Sequence, residues 1–202
     1  MSNLMKAPTQ KSFGKHLRHL FGFGSVLVML LSSPALAQAT VVTGTLSGTV
    51  GDETFTWNTL GTEVEGEFQN TASWVSIGTF YSLSLQGHVG ESFSVEDTLD
   101  VTMTLYSVPE NCPCTVTEAD ITYWTSSSMF DDVYIAEAAE VTLESFELVD
   151  DETFAVSGSL SVTLLFQESM TAELDESQTL ELSGSFNVER VSQDKLAQEQ
   201  LE

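Results

Sequence analysis

The chain has 202 residues, with 6 Lys and Arg against 30 Asp and Glu and a formal net charge of −24. That balance excludes nucleic acid as a partner, since affinity for it comes from Lys and Arg releasing phosphate counterions, and it excludes an anionic membrane surface for the same reason. The length suits one ordinary domain with a single core.

The N-terminal stretch reads as a targeting segment. Lys6, Lys11, Lys15 and Arg18 precede the apolar run from Val26 to Leu31, and Ala35-Leu36-Ala37 supplies a small-x-small site. Basic, apolar and cleavage regions in that order describe a secretory signal peptide over residues 1–37. The apolar part, broken by Gly22, Gly24 and Pro34, is too short for the roughly 20 residues that span a bilayer. No Cys follows the site and no second Arg neighbours Arg18, so neither lipidation nor twin-arginine export is indicated. The expected location is the periplasm or the cell exterior. The 165 residues after Ala37 keep only Arg190 and Lys195 as cations and carry −28. Such an excess of carboxylate suits a cationic partner, bound Ca²⁺ or a salty medium, with plain solubility as the simplest account.

Beyond Gln38 the apolar residues recur with period two. Val42, Gly44, Leu46, Gly48 and Val50 share one face of a first strand, and Gly51-Asp52-Glu53 turns it into a second at 54–58, which carries Phe55 and Trp57. Residues 61–70, with Glu63, Glu65 and Glu67, read as an exposed loop or ragged edge strand. Strands over Ala72–Ile77 and Phe80–Val89 join near Gly78. The second puts Tyr81, Leu83, Leu85, Gly87 and Val89 on one face and His88 on the other, where an ordinary exposed histidine is expected. Leu99, Val101, Met103 and Leu105 mark the next strand, closed by Pro109, which cannot donate to a ladder.

Residues 120–125 form a further strand. Met129, Phe130, Val133 and Tyr134 then have helical spacing, with Ser128 and Asp131 as caps, so a short helix or a loop is expected near 128–138. Between 140 and 150 the apolar phase shifts from Val141 and Leu143 to Phe146 and Leu148, which requires a β-bulge near Glu144-Ser145. The clearest alternation lies at 153–166, where Phe154, Val156, Gly158, Leu160, Val162, Leu164 and Phe166 share one face opposite mainly Ser and Thr. Leu180, Leu182, Gly184, Phe186 and Val188 repeat the pattern within 179–191, and the polar residues 192–202 are expected to fray. Eight to ten such strands without βαβ alternation predict an all-β fold. An antiparallel β-sandwich over 38–191 is expected, with a β-barrel as the alternative and a polar tail over 192–202.

Three segments echo one another: Val42 to Leu46, Val156 to Leu160 and Leu182 to Phe186 each place a glycine between hydroxyl residues and on the core face. A missing side chain there leaves room for a large one from across the core, with Trp57, Trp74 and Trp124 as candidates.

Chemistry has few footholds. Cys112-Pro113-Cys114 in an exported chain is expected to be an oxidised local pair, with a redox-active dithiol or a soft-metal site as alternatives. Zinc would need about four ligands, and His88 is the only histidine after residue 37. No Gly-x-Ser-x-Gly elbow occurs, so nucleophilic catalysis is poorly supported. Calcium is better motivated, because Asp150, Asp151 and Glu152 place hard oxygen ligands at a predicted turn. Trp74 and Trp124 oppose in parity their aliphatic neighbours Val75 and Ile77, and Ile121 and Tyr123 respectively. Both therefore face outward in this reading and offer planes on which a sugar ring stacks. Together these features describe an exported, non-catalytic β module with a protein or carbohydrate ligand. A structural cell-surface or matrix protein is the alternative, and a small secreted hydrolase the third reading.

Overall fold

The computed structural model describes residues 39–201 apart from 65, 110–111, 129–130 and 170–171, and the signal peptide expected over 1–37 lies outside them. Ten strands precede one helix among the described residues: β1 (Val41–Val50), β2 (Glu53–Val64), β3 (Glu67–Asn70), β4 (Ala72–Ile77), β5 (Phe80–Val89), β6 (Thr98–Leu105), β7 (Cys114–Trp124), β8 (Val133–Asp150), β9 (Thr153–Gln167), β10 (Asp175–Gln193) and α1 (Lys195–Leu201). The fold is all-β and antiparallel as expected, save one short parallel contact between β10 and β4.

All ten strands belong to one hydrogen-bonded sheet in the order β3-β2-β1-β10-β4-β5-β6-β7-β8-β9. It runs back on itself, because β9 pairs again with β10 and β2 pairs with β5 through Trp57↔Val89 and Asn58↔His88. The inward faces meet in one sandwich-like core to which every strand except the short β3 contributes, from Leu46 and Trp57 through Leu83, Val101, Ile121 and Val141 to Val156 and Leu182. Period-two patterning thus does its work here by supplying one continuous apolar lining.

Aromatic residues anchor one end of that core. The Trp57 ring stacks on Phe55 at 5.3 Å and meets Tyr123 edge-on at 6.5 Å. Both polar tips find the same partner: the indole N–H donates to the Asp97 carbonyl and the Tyr123 hydroxyl to the Asp97 carboxylate, each at 2.7 Å. Asp97 holds a left-handed backbone (φ 55°) to do this, a conformation Asp tolerates better than most residues. Burial and the neighbouring carboxylate push the Tyr123 phenol upward.

The glycines make room for different partners from those expected. A Cβ on Gly158 would lie 2.5 Å from the Phe186 ring and 2.3 Å from the Thr142 carbonyl oxygen, so this glycine admits a phenylalanine. Gly44 and Gly184 lie against the backbone of the neighbouring strand instead. Trp57 is accommodated by Gly87, whose added Cβ would sit 2.7 Å from the tryptophan Cβ.

Two local expectations are corrected and a third is resolved. The part of the expected helix that the structure describes is strand, since β8 starts at Val133; Met129 and Phe130 lie outside the described residues. In β8, Val133, Ala136 and Ala139 are buried at every third position, because the register slips between Ile135 and Val141 and Ala138 takes φ 52°. Residues 61–70 are the edge strand of the two forms expected there: β2 runs on to Val64 and pairs with β3, which stands at the edge of the sheet. The tail expected to fray contains α1, whose first turn is capped by the Asp194 carboxylate accepting the Ala197 N–H at 3.0 Å.

Candidate functional site

The site begins with a bulge. Along β10 and β9, Val188 faces Val156 and Val191 faces Phe154, so β10 carries one extra residue between them. Val188 and Val191 are both buried, and the intervening Glu189 and Arg190 are both exposed. Such an insertion re-aims side chains that a regular ladder would bury or splay. The Arg190 carbonyl, free of the regular ladder, accepts the Asn70 side-chain amide at 2.7 Å. Asn70 is itself held through its oxygen, which accepts the Thr43 hydroxyl at 2.9 Å and the Ala72 N–H at 3.1 Å. Thr43 is the extra residue of a second bulge, in β1 opposite β2, and its hydroxyl also meets that of Thr59 at 2.9 Å.

Beside this junction lies a cleft of about 390 Å³. Phe68, Gln69 and Asn70 of β3 line it with Ser73, Glu152, Thr153, Arg190, Ser192, Gln193, Asp194 and Lys195. Both cations that follow residue 37 are on its walls. Lys195 is ion-paired with Glu152 at 3.0 Å, and that contact, with Glu67 beyond it, raises its pKa. Arg190 is different. Its guanidinium carbon lies 3.7 Å above the centre of the Phe68 ring, and among the described residues no carboxylate pairs with it. The Ser192 hydroxyl, also in the wall, is buried without a protein partner.

The residues singled out from the sequence lie elsewhere or play other parts. Trp74 does not face outward: it is 7 % exposed, its ring packs 5.1 Å from Phe154, and its N–H donates to the Glu152 carbonyl at 3.1 Å. The strand has turned its largest apolar surface inward and left Ile77 exposed. Trp124 is half-buried, on the face opposite Ile121 and Tyr123. The two tryptophans therefore do not share a stacking surface. Asp150, Asp151 and Glu152 form the β8–β9 turn, with the Asp150 carboxylate accepting the Glu152 N–H at 2.9 Å and Glu152 committed to Lys195. Among the described residues no group of three His, Cys, Asp or Glu side chains converges as a metal would require.

Cys112 and Cys114 are not joined: their sulfurs stand 3.3 Å apart, against about 2.05 Å for a disulfide. Cys114 is fixed as the first residue of β7 opposite Leu143, so closing the bond would pull on the ladder. Burial, reinforced by the neighbouring Cys112 thiol, pushes the Cys114 thiol up to about 11. His88 is not exposed either. The 90–97 loop folds over it, Ser94 O lies 2.7 Å from Nδ1, Phe93 meets the ring edge-on, and Nε2 is buried without a protein partner.

Sequence reasoning passed over Phe68, Asn70, Arg190 and Lys195. Two signals were available for the last two: the phase break between Val188 and Val191, and the placement of both remaining cations within 190–195. Compared with protein-family models, with curated proteins and with solved structures, the chain matches none.

Proposed function

We propose that the chain is exported and that its β domain is a non-catalytic module binding a small polar ligand in the cleft between β3, the end of β10, the β8–β9 turn and α1. The observation that carries this reading is that both cations following residue 37 meet amide and hydroxyl side chains around one 390 Å³ concavity, where three carboxylates, Glu67, Glu152 and Asp194, also lie in the wall. That volume falls within the range of small-molecule sites. A binding role is further supported by the commitments of two of the three carboxylates in the wall, the third being Glu67. Asp194 caps α1 and Glu152 holds Lys195, so neither is presented as a free acid or base.

The experiment is a tryptophan-fluorescence screen of the exported protein against sugars, sugar acids and short peptides. Trp74 is the reporter, through its hydrogen bond to Glu152 in the cleft wall. Saturable quenching with a Kd below about 1 mM, ~4 kcal/mol of binding, is expected for at least one class, with the ligand recovered unchanged. Silence across all classes overturns the binding reading, and turnover of the ligand overturns the non-catalytic one. Export is tested separately by intact mass, which should begin at Gln38.

A further inference from the structure

Resting on that cleft as the binding site, we infer that its ligand is a sugar acid, with the carboxylate held by Arg190. Arginine presents five N–H donors in a planar fork that matches a carboxylate in bidentate geometry. In a chain with 30 Asp and Glu, an arginine that pairs with none of them among the described residues is conspicuous. Its guanidinium carbon lies 3.7 Å from the centre of the Phe68 ring and its backbone carbonyl is held by the Asn70 amide, so contacts at both ends of the side chain restrict the fork. Pre-positioning of this kind lowers the ordering cost of binding.

The other walls specify the rest of the ligand. Gln69, Asn70, Ser73, Thr153, Ser192 and Gln193 are hydroxyl and amide groups, suited to a polyol; the wall's carboxylates are Glu152, paired with Lys195, Asp194, which caps α1, and Glu67; and the one large apolar face, Phe68, is occupied by the guanidinium. A peptide side chain of any size would find no apolar pocket here. The surrounding charge adds a limit. A net −28 repels polyanions beyond what two cations offset, so a ligand with a single carboxylate is favoured over a chain of them.

The test is isothermal titration with three probes, galacturonate, its neutral counterpart galactose and trigalacturonate, against the wild type and Arg190→Gln. Galacturonate is expected to bind at least about tenfold more tightly than galactose, and Arg190→Gln to remove that preference while the protein remains folded. Trigalacturonate should bind no better than the monomer. Equal affinity for galacturonate and galactose, or a folded Arg190→Gln protein that binds galacturonate as well as the wild type, overturns the sugar-acid assignment while leaving a binding cleft intact. No heat with any probe overturns it as well, and the wider screen then decides whether the cleft binds anything. Tighter binding of the trimer overturns the single-carboxylate limit. Should Arg190→Gln fail to fold, Arg190→Lys keeps the charge but loses the fork, and is expected to weaken galacturonate selectively; unchanged affinity there overturns the bidentate contact.

Discussion

Asp100 sits half-buried on β6, its two carboxylate oxygens accepting the Thr102 hydroxyl at 2.8 Å and the Ser84 hydroxyl at 3.2 Å. Burial raises its pKa above the ordinary carboxylate value of 3.8, and the two hydroxyls only partly offset this. A carboxyl whose folded pKa is raised holds its proton more tightly in the folded chain. Its contribution to stability is complete below the unfolded pKa and is lost as pH rises through the folded one. Asp100→Asn should therefore raise the melting temperature at pH 7, and its advantage over the wild type should vanish as pH falls below about 4. A variant with lower stability at pH 7, or an advantage indifferent to pH, contradicts the argument. The thiols give a second test at this scale. With its pKa near 11, Cys114 is mostly protonated at pH 8 and should alkylate slowly, its rate still climbing between pH 9 and 10 when followed by mass spectrometry. A rate that levels off near pH 9 would show an ordinary thiol. The expected disulfide was inferred from compartment and isolation alone; the anchoring of Cys114 in a ladder could not be read without β7's partner.

At the scale of elements, α1 completes β4. β10 pairs with β4 only at Ser73 and Trp74, leaving the outer backbone of Ser76 without a strand. Gln198 takes the strand's place: its side-chain oxygen accepts the Ser76 N–H at 2.9 Å and hydroxyl at 3.2 Å, and its amide donates to the Ser76 carbonyl at 3.2 Å. Gln198→Ala should cost about 1–2 kcal/mol and speed hydrogen exchange at the Ser76 amide. Unchanged exchange there would mean that the contact is incidental. What was legible at this scale is what local pattern controls. The β1–β2 hairpin at Gly51-Asp52, the β8–β9 turn and the register slip between Leu143 and Ser145 all follow from parity and turn residues. Illegible were features that depend on a distant partner. The helical spacing of Met129, Phe130, Val133 and Tyr134 did not show that Val133 and Tyr134 pair with Gln167 and Phe166 in a ladder, and Trp74 turned inward because Phe154 and Tyr81 lie against it. The cleft belongs to this second kind, since β3, the β9 turn and α1 meet at it from widely separated parts of the chain.

At the largest scale the governing quantity is the −28 units of charge carried by residues 38–202, with Lys195 already committed to Glu152. Carboxylates on the turns and outer strand faces are closer together in the folded chain than in the expanded one, so repulsion falls mainly on the native state. Screening reaches pairs separated by more than about 10 Å at 0.1 M salt. Added NaCl should therefore raise the melting temperature, steeply at first and then flattening as the Debye length shrinks. Calcium adds a discriminating arm. An ion that binds only the native state stabilises it by mass action beyond screening. Yet Asp150 is turned to the Glu152 N–H and Glu152 to Lys195, and no three acidic side chains among the described residues gather around a common point. Thermal melts in MgCl₂ and CaCl₂ matched for ionic strength are thus expected to superimpose. A melting temperature indifferent to NaCl would contradict the repulsion argument. A CaCl₂ curve standing several degrees above the MgCl₂ one would instead show that the acidic turn rearranges around the ion, and would make calcium a native ligand.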